Sequence, residues 1–226
     1  MKSYKYFTLI AGLFITVLLT SNITSTKIVD LSVGRLPIIF DGGTLLFPLS
    51  YIFGDILTEV YGYKNSRKII WLGFWAAALM SLCIYFVGAL PAASDRPFQA
   101  DYMNILWYTP RIIIASLIAY WAGEFSNSFI LAKMKIWTKG SKFRTRALGS
   151  TIVGQAIDTT IFTLVAFYGF LPNAVLLSIW VSNYIFKILI EVVLLPLTYK
   201  VTAYLKKAEN EDVFDTKTNF NPFTVQ

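Results

Sequence analysis

Long runs of apolar residues dominate the chain, and short polar connections separate them. A run of about 20 apolar residues crosses the roughly 30 Å hydrocarbon core of a bilayer as a helix. The pattern therefore predicts an all-α membrane protein with six transmembrane helices, because the strands of a membrane barrel are shorter and alternate in polarity. The predicted spans are residues 7–28, 44–61, 69–90, 112–131, 148–171 and 175–197, the last extending as a helix toward residue 205.

The basic residues predict the orientation of these helices. Fifteen of the 20 Lys and Arg residues lie before the first span, after the second, after the fourth or in the tail. Lys and Arg concentrate on the cytoplasmic side of a bilayer, so both termini are expected in the cytoplasm. Residues 1–205 would then form the transmembrane domain and residues 206–226 a cytoplasmic tail. The basic residues left for the outer side are Lys27, Arg35, Arg96 and Arg111, with Lys187 inside a span.

Composition narrows the classes of function. The 226 residues are 56% hydrophobic and 15% charged, which is more apolar than a single soluble core requires. The net charge of +7 does not indicate nucleic-acid binding, because the basic residues are spread between apolar runs. The chain has no His and one Cys, Cys83, which excludes an intramolecular disulfide, a thiolate metal cluster and imidazole-based catalytic pairs. We predict neither a metal nor a cofactor.

Polar side chains recur inside the apolar spans, where they are costly. A charged side chain at the bilayer centre costs about 2.5 to 3.5 kcal/mol on insertion scales, so such residues face inward or pair. Counted at about 1.5 Å per residue, Glu124, Asp158 and Lys187 lie near the membrane midplane. Asn183, Lys187 and Glu191 recur every fourth residue and form one stripe on their helix. The spans therefore enclose a polar column.

This polar column has a structural and a functional interpretation. In the structural one, the groups only pair with one another, for example Lys187 with Asp158 or Glu191, and fix the packing of the helices. In the functional one, several helices contribute polar groups to one ligand cavity, which their overlapping depths favour. The candidate ligand-binding residues are Asn22, Asp55, Glu124, Phe125, Asn127, Gln155, Asp158, Trp180, Asn183, Tyr184 and Lys187.

Five segments within the spans carry a resemblance to a known family. They read "SNITSTKI", "FPLSYIFGDILTEVYGY", "EFSNSFILAKMK", "STIVGQAIDTTIF" and "NYIFKILIEVVLLPLTY", and the tail adds "DVFDTKTNFNPF". Together they resemble the bacterial queuosine precursor transporter family, formerly grouped with vitamin uptake transporters. The resemblance implies six helices, an inner-membrane location and uptake of a deazaguanine in its cyano, aminomethyl or free-base form. It also implies a fold similar to the membrane substrate-binding subunits of energy-coupling-factor transporters.

A deazaguanine suits the candidate residues chemically. A carboxylate can accept the N–H and the adjacent amine of its edge, and an amide or ammonium can donate to its carbonyl. We expect Glu124 or Asp158 to be the carboxylate acceptor, and Lys187 to be the donor or the balancing charge. The remaining roles are amide contacts for Asn127, Gln155 and Asn183, and ring stacking for Phe125, Trp180 and Tyr184.

The energy source and two alternative functions stay open. The sequence has no GxxxxGK[ST] phosphate loop, so it does not indicate ATP hydrolysis by this chain. Transport would be facilitated or proton-coupled, or the chain would be a substrate-binding subunit that needs a separate ATPase. An intramembrane enzyme is the other alternative, although no GxGD or GxSxG motif is present. The predicted partners are the deazaguanine and the lipid bilayer but no nucleic acid, and a homo-oligomer is compatible with the sequence.

Overall fold

The computed structural model describes residues 4–30, 39–93, 98–106, 110–170 and 172–224. Within these residues the chain forms seven α-helices and one short two-stranded antiparallel ribbon. The ribbon and a 3-10 turn at Gly42–Leu45 connect the first two helices. The elements are α1 (Phe7–Thr24), β1 (Ile28–Asp30), β2 (Ile39–Asp41), α2 (Phe47–Tyr61), α3 (Tyr63–Gly88), α4 (Gln99–Leu106), α5 (Pro110–Trp137), α6 (Phe143–Phe167) and α7 (Asn173–Glu209).

Four of the described helices, α1, α3, α6 and α7, are long and apolar enough to cross a membrane. This confirms a predominantly helical protein with several candidate spans. The other two predicted spans contain α2 and α5. Helix α2 has only 15 residues, a rise of about 22 Å, and α5 carries Glu124, Lys133 and Lys135. Six complete membrane crossings stay a prediction.

Helix α2 is the centre of the bundle. It contacts α1, α3, α5 and α7, and nearly all of its residues are buried. By contrast, large apolar side chains of the long outer helices are exposed, among them Trp75 and Leu79 on α3 and Val193 on α7. An outer surface of this kind is expected where helices face lipid, because lipid removes the need to hide apolar side chains.

Helices α5 and α6 form a closely packed pair. A Cβ atom added to Gly123 would lie 3.2 Å from the carbonyl oxygen of Gly154, and one added to Gly154 would lie 3.1 Å from the carbonyl oxygen of Gly123. The two backbones approach each other here because neither residue has a side chain. The polar residues that follow Gly123 and Gly154 are thereby brought to the same level in the bundle.

The residues after α7 fold back onto the start of α3. The side chain of Asp215 accepts a hydrogen bond from the backbone N–H of Tyr63 at 2.9 Å, which caps that helix end. Arg67 donates to the carbonyl oxygen of Asn219 at 2.8 Å, and the Trp71 indole N–H donates to that of Pro222 at 2.8 Å. The boundary between a membrane domain and a tail at residue 205 stays a prediction, since α7 itself runs to Glu209.

Candidate functional site

A cavity of about 730 Å³ lies at one end of the helix bundle. It is lined by the C-terminal halves of α1, α3 and α6 and by the N-terminal halves of α5 and α7, together with α4. This end is opposite to the one where the tail packs. Most lining side chains are apolar, and polar ones include Asn22, Ser116 and Asn183. The size and the sparse polar groups are typical of a site for a small organic molecule.

A second cavity of about 60 Å³ adjoins the first. The two share Asn22, Ser25, Ser116 and Phe162 in their walls, and the smaller one adds Asp158 and Lys187 among others. At the shared wall, the Ser116 hydroxyl donates to the amide oxygen of Asn22 at 3.1 Å. The ion-forming residues of α6 and α7 therefore lie directly beyond the floor of the larger cavity.

Asp158 and Lys187 form an ion pair in which Nζ lies 2.6 Å from Oδ2. Only 4% of the Asp158 side chain and 12% of the Lys187 side chain are exposed. The Lys187 ammonium also lies 4.8 Å from the ring centre of Phe47, a cation–π distance. The pairing of Lys187 with a carboxylate of a neighbouring helix is one of the two predicted from sequence. The contact with Phe47 has no sequence signal, because it depends on how α2 meets α7.

A deeper layer of polar side chains lies outside both cavities. Asn127 donates its side-chain N–H to Asp55 at 2.7 Å. Glu124 is fully buried, and by hydrogen-bond geometry neither of its carboxyl oxygens has a partner among the described residues, although the Ser50 hydroxyl interacts with the carboxyl. Within that part of the chain, the side-chain amide of Gln155 and the hydroxyl of Tyr51 also lack a hydrogen-bond partner. None of these side chains lines either cavity.

The tail end of the bundle is closed by a cluster of charges around Glu59. Arg146 donates to both oxygens of this carboxylate, at 2.5 and 3.0 Å, and Lys206 contacts it at 2.5 Å. Lys135 donates to the Glu59 carbonyl at 2.6 Å and to Asp212 of the tail at 2.5 Å. The sequence predicts only that Lys135, Arg146 and Lys206 lie on the cytoplasmic side. Nothing in their spacing identifies Glu59 as their partner, because it lies more than 70 residues away in the chain.

The predicted site residues therefore lie in four separate places. Phe125 packs against Trp71 and Trp121, with ring centres 6.0 and 5.2 Å away. Trp180 and Tyr184 stack on each other at 5.1 Å and are not among the residues that line either cavity. The cavity walls contain Asn22, Asp158, Asn183 and Lys187, and the deeper layer contains Asp55, Glu124, Asn127 and Gln155.

A family model described as "Putative vitamin uptake transporter" matches residues 41–201. This range extends from the end of β2 into α7 and contains every predicted site residue except Asn22. The chain belongs to this family. A multi-pass membrane protein is the class that the family and the apolar helices support.

Three relatives of this family member carry the same functional name. A "Probable queuosine precursor transporter" of Bacillus subtilis (strain 168) is 33% identical over 161 residues, which cover 70% of this chain and 69% of the relative. The protein of that name from Haemophilus influenzae is 26% identical over 70% of this chain and 66% of its own length. The "Queuosine precursor transporter" of Escherichia coli (strain K12) is 26% identical over 80% of each chain.

These names describe transporters, in agreement with the prediction that this vitamin uptake family member is not an enzyme. No solved structure is a significant match to the chain. The likeness to substrate-binding subunits of energy-coupling-factor transporters therefore stays a prediction.

Proposed function

We propose that the protein imports a queuosine precursor across the bacterial inner membrane. The substrate would be a deazaguanine, in its cyano, aminomethyl or free-base form. The observation that carries this proposal is the cavity of about 730 Å³ whose floor adjoins a buried Asp158–Lys187 pair. The printed names of the three relatives supply the substrate class. In this proposal α2 and α5 complete six membrane spans, and both termini are cytoplasmic.

The ion pair offers both a hydrogen-bond acceptor and a hydrogen-bond donor, which the polar edge of a deazaguanine requires. The Asp158 carboxylate can accept from the ring N–H and the exocyclic amine, and the Lys187 ammonium can donate to the ring carbonyl. The cavity of about 60 Å³ beside the pair holds about two water molecules, at roughly 30 Å³ each in the liquid. The bicyclic ring would therefore lie in the larger cavity, with its polar edge directed at the pair. Asn22 and Asn183 line this larger cavity and would contact the remaining polar atoms of the ring.

Import also requires the opposite end to open. With cytoplasmic termini, the larger cavity faces the outside and the Glu59 cluster closes the inside. Transporters expose a central site alternately to the two sides of the membrane. Opening toward the cytoplasm would move α6 and α7 relative to α2, because Arg146 and Lys206 both bind Glu59.

A complementation experiment tests the proposal. The host is a bacterial strain that cannot synthesise queuosine precursors but retains the later enzymes. Supplied with this protein and a low external concentration of deazaguanine, it should regain queuosine in its tRNA, as measured by mass spectrometry of nucleosides. An empty vector is the control. Failure with the cyano, aminomethyl and free-base forms alike contradicts the proposal, and recovery only with an added ATPase module supports the binding-subunit alternative.

A further inference from the structure

The carboxyl group of Glu124 has no ion-pair partner among the described residues. It is 0% exposed, neither oxygen has a partner by hydrogen-bond geometry within that part of the chain, and the Ser50 hydroxyl is the donor that interacts with the carboxyl. Gly54 of α2 packs so closely that a Cβ atom added there would lie 2.8 Å from Oε2. Asp158 has a cation and Asp55 has an amide donor. Glu124 thus differs from both neighbouring carboxylates in having neither a cation nor an amide donor among the described residues.

The titratable groups that interact with Glu124 come from four helices. They are Tyr51 and Asp55 of α2, Tyr120 of its own helix, Asp158 of α6 and Glu191 of α7. The Lys187 ammonium is held by Asp158, and Glu191 accepts a short hydrogen bond from the Thr151 hydroxyl. None of these groups offers Glu124 a free cation. A fully buried carboxyl group with no cation beside it is costly to ionise.

The position of Glu124 separates its role from that of Asp158. Asp158 lines the small cavity, whereas Glu124 lines neither cavity. The two are nevertheless adjacent through Gly123. A Cβ atom on Gly123 would lie 2.8 Å from Cβ of Asp158 and 2.3 Å from the Tyr51 hydroxyl. A substrate that moves Asp158 therefore acts directly on the helix segment that bears Glu124.

We propose that Glu124 carries the proton that drives import, so that the protein is a proton–substrate symporter. The inference rests on the proposed function and adds its energy source. An O–H bond forms on Glu124 with a proton from the outer side while the substrate binds at Asp158 and Lys187. In this scheme the enclosed arrangement described above is the protonated state. After the bundle opens inward and hydrates the layer, the O–H bond breaks and the proton leaves to the cytoplasmic water together with the substrate.

Transport by the purified full-length protein in liposomes tests the inference, with labelled cyano-deazaguanine as the probe and the membrane potential clamped by potassium and valinomycin. Two kinds of transport are measured. The first is exchange of the labelled probe for unlabelled probe at equal pH, and the second is net uptake of the probe when the outer medium is one pH unit more acidic. One proton per substrate supports about tenfold accumulation under such a gradient. The wild type should reach this accumulation, and Glu124→Gln should accumulate no substrate while still exchanging it. Glu191→Gln is the matched control and should respond to the gradient.

The outcomes separate the inference from the proposed function. A wild type that neither exchanges nor accumulates the probe overturns both. A wild type that exchanges but ignores the gradient overturns only the proton coupling, as does loss of the gradient response in Glu191→Gln but not in Glu124→Gln. If Glu124→Gln does not fold, a measurement on the wild type alone tests whether protons enter together with the substrate. Adding the probe must then make the outer medium more alkaline, as recorded by a pH-sensitive dye, and an unchanged pH overturns the inference.

Discussion

Lys187 is the one basic residue predicted to lie deep within a span, and its surroundings explain how it is tolerated there. The ammonium is balanced by Asp158 at 2.6 Å and faces the ring of Phe47. Removing two charges from water costs several kcal/mol per ion, which the attraction between them only partly returns. An apolar pair of similar volume would hold α6 against α7 at least as well. The use of an ion pair next to a cavity therefore favours ligand recognition over packing as its role.

Replacing Lys187 with Met separates these two roles. The variant keeps most of the side-chain stem but removes the charge. We expect it to insert and to remain folded in detergent, as judged by size-exclusion chromatography, while deazaguanine uptake falls at least about tenfold, or roughly 1.4 kcal/mol. Lys68→Met, at an exposed position of α3, is the matched control. Normal uptake by Lys187→Met would show that the pair only holds the helices together.

At the scale of elements, much of the binding of the tail is through its backbone. Arg67, Trp71 and Lys135 all donate to tail carbonyl oxygens. Every sequence has such carbonyls, so the polar pattern of residues 210–224 gives no sign of their docking. The apolar runs, in contrast, place the long helices correctly, because burial in lipid depends on the side chains themselves. For the same reason α4, which is short and half polar, has no counterpart among the predicted spans.

The docking of the tail should depend on pH through Asp212. Burial disfavours the ionised carboxylate, but the hydrogen bonds from Lys135 and Lys206 outweigh this and lower the pKa of Asp212. A lowered pKa means that the stabilisation is complete above the usual Asp value of about 3.9 and is lost as the pH falls through the folded-state value. Asp212→Asn should therefore lower the melting temperature in detergent at pH 7, and the difference from wild type should shrink below about pH 4.

The matched control for this pH series is Asp101→Asn, at an exposed position of α4. Its melting temperature should equal that of the wild type at each pH. A difference between Asp212→Asn and wild type that stays constant down to pH 3 would contradict the assigned role of the Asp212 carboxylate.

On the scale of the whole molecule, the two ends of the bundle are unlike. One end contains the larger cavity, and the other contains the Glu59 cluster, the tail and the beginning of the chain. The backbone N–H groups of Lys5 and Tyr6 donate to the Glu209 carboxylate at 3.0 and 2.7 Å. The two described ends of the chain therefore lie on the same side, as an even number of crossings requires. Their assignment to the cytoplasm comes from the distribution of basic residues.

Cysteine labelling tests that assignment. In a Cys83→Ala background, single cysteines at Lys64 and Lys139 should react with a membrane-impermeant maleimide only after the cells are opened. A cysteine at Ala92, between α3 and α4, should react in intact cells. The expectation follows from the positive-inside distribution of Lys and Arg. Labelling at Lys139 in intact cells would reverse the orientation and would place the larger cavity on the cytoplasmic side.

The cap that Asp215 places on α3 also sets the order in which the protein can be completed. All seven described helices precede Asp215 in the chain, so Tyr63 is synthesised long before its capping residue. The helices must therefore insert while this end of α3 still lacks its cap. Closing this end of the bundle is then a step that follows the synthesis of all seven helices, and a chain that stops before Asp215 is left with an open end that a cell's quality control can recognise.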